Sequence, residues 1–150
     1  MRRAFGTILV VSAIGLAIVG ASRTASSEAT LPAITVTAPT SIYEFFAANT
    51  GVQCEMGRAD TSWVKRDYAY CQSVSANLSA SFERGRDPKV CDNSGSCLGN
   101  PGLNTPRLHV GEVVGSGGLT CAIHRDNVLC RDAAGHGFEM SRDRISVLRP

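Results

Sequence analysis

Residues 118–132 read Gly-Leu-Thr-Cys-Ala-Ile-His-Arg-Asp-Asn-Val-Leu-Cys-Arg-Asp, two short runs of alternating side chains around a polar loop. Such alternation, bounded by turn residues, is typical of a β-hairpin. With residues 124–127 as the loop, Cys121 and Cys130 face each other on antiparallel strands, on the same side as the apolar residues. Directly opposed residues can be close enough for a disulfide. The stretch therefore predicts a hairpin whose apolar face carries a Cys121–Cys130 disulfide.

The same pattern occurs earlier in the chain. Residues 51–54 (Gly-Val-Gln-Cys) are similar to residues 118–121 (Gly-Leu-Thr-Cys), and the run 68–71 also ends on a cysteine. This repetition predicts a second, longer hairpin that is closed by a Cys54–Cys71 disulfide.

The two remaining cysteines, Cys91 and Cys97, pair by elimination. An even number of cysteines in an exported chain favours disulfides over free thiols. Zinc sites usually contain closely spaced pairs such as Cys-x-x-Cys, which this sequence lacks. We therefore assign no metal ligand and no cofactor.

Short apolar runs between turn residues predict a small, disulfide-stabilised, all-β or β-dominated domain of short antiparallel strands. A surface loop is predicted over residues 92–107, where Gly, Pro, Asn, Ser and Thr predominate and Cys97 pins the chain. Residues 141–148 are the only stretch that could form a helix, and that helix would be short. The predicted strands are residues 52–56, 68–73, 78–83, 108–114, 119–123, 128–131 and 138–141.

The N-terminus predicts export. Met1-Arg2-Arg3 precedes an uncharged run over residues 4–21, and the small residues that follow fit signal-peptide cleavage after Ala21 or Ala29. The signal peptide would then span residues 1–29. A retained membrane anchor is the alternative, because about 18 apolar residues is near the minimum for spanning a bilayer.

The mature chain is predicted to be a flexible linker over residues 30–41, rich in Ser, Thr, Ala and Pro, and a single domain over residues 42–150. The whole chain has 15 Lys and Arg against 13 Asp and Glu, and three arginines and one glutamate precede the linker. The mature part therefore has no net charge. A neutral domain without a basic run argues against nucleic-acid and anionic-membrane partners. We expect a protein that is secreted or held at the cell envelope, without stable membrane insertion after cleavage.

The sequence contains no complete catalytic constellation. Ser116 lies in a Gly-Ser-Gly-Gly string, but Val114 stands where a nucleophile elbow requires glycine. The three histidines are His109, His124 and His136, and no motif places one of them beside a nucleophile and a carboxylate. We therefore assign no catalytic residue. The carboxylates available for a glycosidase mechanism include Glu55, Asp60, Asp67, Glu112 and Glu139.

Two groups are candidates for binding or turn roles. In the string Gly135-His136-Gly137-Phe138 the glycines permit tight backbone geometry, and His136 either caps the turn or lies at the rim of a site. Tyr68 and Tyr70 share a strand face. Together with Trp63 they either form an aromatic contact patch or pack beneath the loop over residues 57–67.

A cysteine hairpin followed by residues 135–142 (Gly-His-Gly-Phe-Glu-Met-Ser-Arg) resembles a family of small secreted actinobacterial proteins, mycobacterial ones included. The N-terminal part of the domain departs from the family pattern, because residues 45–54 take the place of a segment that usually contains Ser-Gly-Asn-Ile. The family has no known function. The resemblance therefore implies export and disulfides but supplies no catalytic residues.

These observations favour a non-enzymatic interaction module that binds a protein or an envelope component. A hydrolase of envelope polymers is the first alternative, and it requires a pocket that joins His136 or His109 to a carboxylate or serine. A secreted protease inhibitor is the second, with residues 92–107 as the inhibitory loop and Leu98 or Leu103 as the contact residues.

Overall fold

The structure, a computed structural model, describes residues 34–37, 42–60, 64–92, 97–100, 102 and 105–150. The fold is all-β, as predicted, and the described residues form strands and turns but no helix. Among them there is thus no helix long and apolar enough to cross a membrane. The strands are β1 (Ile34–Thr37), β2 (Ile42–Ala47), β3 (Val52–Gly57), β4 (Tyr68–Ser73), β5 (Leu78–Glu83), β6 (Lys89–Asp92), β7 (Arg107–Leu108), β8 (Glu112–Ser116), β9 (Leu119–Ile123), β10 (Asn127–Asp132), β11 (Gly137–Ser141) and β12 (Ile145–Leu148).

The strands form two six-stranded sheets that share one hydrophobic core. The first sheet has the order β1-β8-β9-β10-β11-β12, and the second has the order β6-β5-β4-β3-β2-β7. Each sheet is a five-stranded antiparallel meander with one added strand. β1 precedes the meander β2–β6 in the chain but pairs parallel with β8 of the other sheet. β7 precedes the meander β8–β12 but pairs parallel with β2. The two halves of the domain therefore repeat one topology and exchange a strand.

The three disulfides join the predicted partners, Cys54–Cys71, Cys91–Cys97 and Cys121–Cys130. The first and the third occupy equivalent places, because each links directly opposed residues of the second and third strands of a meander. Both lie in the core, where Cys71 Sγ is 3.8 Å from Cys130 Sγ across the two sheets. The large apolar side chains around them include Phe45, Val52, Met56, Phe82, Val114, Leu119, Ile123, Val128, Phe138 and Met140.

The predicted strands over residues 68–73, 78–83 and 119–123 have the observed bounds. The single strand predicted over residues 108–114 is wrong. Gly111 adopts a φ of 91°, and the turn around it separates β7 from β8.

The short helix considered for residues 141–148 is also wrong. Ile145–Leu148 forms β12, which pairs antiparallel with β11, and Ser141 N donates a hydrogen bond to Arg144 O within the connecting turn. The β-branched side chains of Ile145 and Val147 favour a strand over a helix.

The predicted linker needs a correction at β1. Ile34–Thr37 reads Ile-Thr-Val-Thr, four β-branched residues that suit a strand, and it pairs with β8 in the first sheet. The sheet structure therefore begins within residues 30–41 and not at residue 42. The β-branched run is a local strand signal, but nothing in it identifies the partner strand, which lies in the other half of the chain.

Candidate ligand-binding groove

Two turns of the first sheet lie at the same end of the sandwich, because they follow alternate strands of one meander. The β8–β9 turn consists of Gly117 and Gly118, whose φ values of 59° and 84° favour glycine. The β10–β11 turn spans residues 132–136. The two turns border an open groove of about 740 Å³, which we call the glycine groove. It is lined by Thr37, Arg58, residues 115–120 and residues 131–135.

Ser116, the last residue of β8, lines the glycine groove and is 7% exposed. Its Oγ has no hydrogen-bond partner in the part of the chain that the structure describes. Buried polar groups are rarely left unpaired, because desolvation without a hydrogen bond costs free energy. Ser116 lies at the end of a strand that leads into a hairpin, so the strand-to-helix turn of a nucleophile elbow does not form here. Because Ser116 shares the inner face of β8 with the buried Val114 and its Oγ has almost no accessible surface, the hydroxyl is directed into the interior and does not reach a ligand in the groove.

Arginines contribute the charge around the groove. Arg131 lies in the lining, is exposed, and has no ion-pair partner among the described residues. Arg58 lies 2.5 Å from Asp60 Oδ2, and this pair is on the surface. Arg84 borders an adjoining depression of about 360 Å³, where its Nη1 lies 3.0 Å from Asp67 Oδ2 and donates to Gly117 O.

Asp132 is a buried carboxylate that fixes the β10–β11 turn. Its Oδ1 accepts hydrogen bonds from Ala134 N and His136 N at 2.9 and 3.0 Å, and its Oδ2 accepts one from Gly85 N at 2.8 Å. Burial acts to raise the pKa of Asp132, but the three N–H donors and the nearby His136 outweigh it and hold the pKa below its ordinary value. Because Gly85 belongs to the β5–β6 connection, this carboxylate also ties the two sheets together.

The Gly-His-Gly-Phe string serves the fold. The cap of its turn is the Asp132 carboxylate and not the imidazole of His136. The imidazole Nδ1 lies 3.3 Å from Asp87 Oδ1, although the geometry is not that of a hydrogen bond. Phe138 is fully buried and packs edge-on against Phe82, with 5.8 Å between ring centroids. Gly137 is required because a Cβ there would collide with Cys130 O.

The other predicted histidines lie apart from the groove lining. His109 is in the β7–β8 connection, where its backbone N–H donates to Glu112 Oε2. His124 is in the β9–β10 loop, where its N–H donates to Asn127 O. The structure thus brings none of the three histidines into hydrogen-bond contact with Ser116.

Tyr68 and Tyr70 share the outer face of the second sheet, as predicted, and both hydroxyls are used within the fold. Tyr68 donates to Glu55 Oε1 across the space above Gly57. Burial first, and then the hydrogen bond to Glu55 and the charges of Glu55 and Glu44, raise the pKa of Tyr68 well above its usual range. Trp63 lies outside the described residues.

Tyr70 anchors the loop that follows β6. Its Oη lies 3.0 Å from Cys97 O and accepts a hydrogen bond from Gly99 N at 2.9 Å. Together with the Cys91–Cys97 disulfide, these contacts hold the loop against the outer face of the second sheet. The prediction of a pinned surface loop is confirmed at these residues.

Sequence reasoning did not identify Arg58, Arg131 or Asp132 as site residues. Gly117-Gly118 between two alternating runs is a local hairpin signal, and it predicts the turn. The residues of this turn do not indicate that it borders the same groove as residues 132–136 and the loop after β3. These segments are brought together by the order of the strands in the sheets.

A scan against protein-family models finds no match for this chain, and searches of the curated proteins and of the solved structures find none either.

Proposed function

We propose that the protein is a non-enzymatic binding module that works outside the cytoplasm, secreted or at the cell envelope, and takes a ligand in the glycine groove. The observation that carries this proposal is a groove large enough for part of a polymer chain, in whose lining the exposed Arg131 has no ion-pair partner among the described residues. Three disulfides suit an oxidising compartment. Backbone-rich walls, with glycines at three turn positions, allow a ligand to approach the main chain closely.

The two alternatives have less support. For the hydrolase, the described residues offer the groove a serine without a base, and the ring of His136 is directed to Asp87. For the inhibitor, Leu98 is 37% exposed and Leu103 lies outside the described residues, while Tyr70 holds the neighbouring backbone against the sheet. A binding module needs neither an activated nucleophile nor a protruding loop.

Blocking the groove tests the proposal directly. Ala134→Trp is expected to weaken binding of the purified protein to isolated envelope polymers by about tenfold or more, because the indole takes up ligand space. Val74→Trp is the matched control, since Val74 is 60% exposed and does not line the groove. Binding is measured by co-sedimentation and the fold by thermal unfolding. Equal binding by the two tryptophan variants would contradict the proposal.

Ser116→Ala separates binding from stability. Removing an unpaired buried hydroxyl is expected to leave the free energy of unfolding unchanged or to raise it by about 1 kcal/mol. Binding is expected to stay within about twofold of the parent, because the buried hydroxyl does not reach a ligand in the groove. Denaturant titration and the co-sedimentation assay measure the two effects. A variant that is less stable than the parent would mean that the hydroxyl serves the fold.

A further inference from the structure

The charges around the glycine groove indicate what kind of ligand it takes. The domain as a whole is predicted to be neutral, and two of the three guanidinium groups around the groove contact carboxylates, which leaves Arg131 as the one of the three without an ion-pair partner among the described residues. Arg58 and Arg131 line the groove, and Arg84 borders the depression that adjoins it. The guanidinium of Arg131 makes no ion pair within the described residues, and those of Arg58 and Arg84 keep donors beyond the carboxylates they contact.

The carboxylate in the same lining is engaged and partly screened by the fold. Asp132 is the acidic residue among those that line the groove, and its two oxygens already accept three backbone hydrogen bonds. Its charge is thus spread over N–H dipoles that belong to the fold. A negatively charged group in the groove would meet free guanidinium donors and a carboxylate that is already fully engaged.

The remaining polar groups suit an oxyanion as well. Thr37 and Thr120 supply hydroxyls, and Gly115 leaves open space where a side chain would stand, since a Cβ there would have one neighbour, Leu119 O, at 3.8 Å. Guanidinium groups bind carboxylate and phosphate through two parallel, charge-assisted hydrogen bonds, whereas neutral sugars and apolar peptides lack the negative charge that strengthens them.

We propose that the glycine groove binds the anionic groups, carboxylate or phosphate, of an extracellular polymer, with Arg131 as the principal charged contact and Arg58 as a further contact. This inference rests on the proposed function and names its ligand class. The two sources of an oxyanion share one chemistry at the groove, so the test separates them.

The test uses three polymers and three variants of the full chain after export. The polymers are polygalacturonate for carboxylate, poly(glycerol phosphate) for phosphate and dextran as the neutral control. The variants are Arg131→Gln, Arg58→Gln and the matched control Arg125→Gln, since Arg125 lies in the β9–β10 loop at the other end of the meander. Binding is measured at low and at high salt, and thermal unfolding checks each fold.

The parent and Arg125→Gln are expected to bind at least one anionic polymer and not dextran. Arg131→Gln should weaken that binding about tenfold or more, as expected for a charge-assisted pair. High salt should weaken it too. Binding of only one anionic polymer identifies the source of the oxyanion.

If the parent binds dextran and Ala134→Trp abolishes that binding, the groove is a binding site but its ligand is not anionic. If Arg131→Gln and Arg125→Gln bind isolated envelope polymers equally well, the proposal of an anionic ligand is also overturned. If Ala134→Trp leaves that binding unchanged, the proposed function itself is overturned.

Discussion

Replacing Cys54 by alanine is expected to produce a new disulfide, Cys71–Cys130, that joins the two sheets. The substitution leaves Cys71 as a free thiol, and its sulfur lies 3.8 Å from Cys130 Sγ. Once deprotonated, the Cys71 sulfur attacks Cys130 Sγ, the Cys121–Cys130 bond breaks, and Cys121 leaves as the thiolate, so that one bond is exchanged for another without net oxidation. Contact at this distance gives the attacking thiolate a high effective concentration, although burial disfavours its formation.

The exchange is read by alkylating the unfolded protein and locating the label by peptide mass spectrometry. A fraction of the molecules is expected to carry the label on Cys121 instead of Cys71. Cys91→Ala is the control, because it frees Cys97 on the outer face of the second sheet and should leave both core disulfides intact. Label on Cys71 alone would refute the exchange. Loss of the first disulfide should also cost about 2–4 kcal/mol of stability in denaturant titration.

Asp132→Asn is expected to lower the free energy of unfolding by about 3 kcal/mol at neutral pH. The carboxylate accepts three backbone hydrogen bonds, and an amide offers one oxygen while its NH2 group would face an N–H donor. Asp126→Ala is the matched control, since Asp126 is exposed in the β9–β10 loop and should change stability by less than about 0.5 kcal/mol. Similar losses in the two variants would mean that the Asp132 carboxylate does not tie the sheets together.

The same carboxylate makes stability depend on pH. The pKa of Asp132 is lower in the folded than in the unfolded chain, where it is about 4. The ionised carboxylate therefore contributes fully to the free energy of unfolding above the unfolded pKa, and this contribution is lost as pH falls through the folded pKa. The parent should therefore lose stability as pH falls below about 5, and Asp132→Asn should lose less over the same range. Urea unfolding at several pH values measures both curves, and parallel curves would refute the assignment.

The local part of this fold can be predicted from sequence, and its long-range part cannot. Each core disulfide closes a hairpin whose two strands are neighbours in the chain, so alternation and loop length determine that Cys121 faces Cys130. The parallel pairing of β1 with β8 joins segments that lie in different halves, and nothing in the residues of β1 identifies its partner. The two glycines of the β8–β9 turn are visible in the sequence, whereas the position of Arg58 beside them depends on how the second sheet packs on the first.

The strand exchange has a consequence for the order in which the protein can form. The N-terminus leaves a ribosome or a translocation channel first. β1 therefore emerges long before residues 112–116, with which it pairs. The second sheet likewise lacks its sixth strand until residues 107–108 have followed. Neither sheet can take up its last strand before residue 107, so the exchanged strands are added only after most of the polypeptide has emerged.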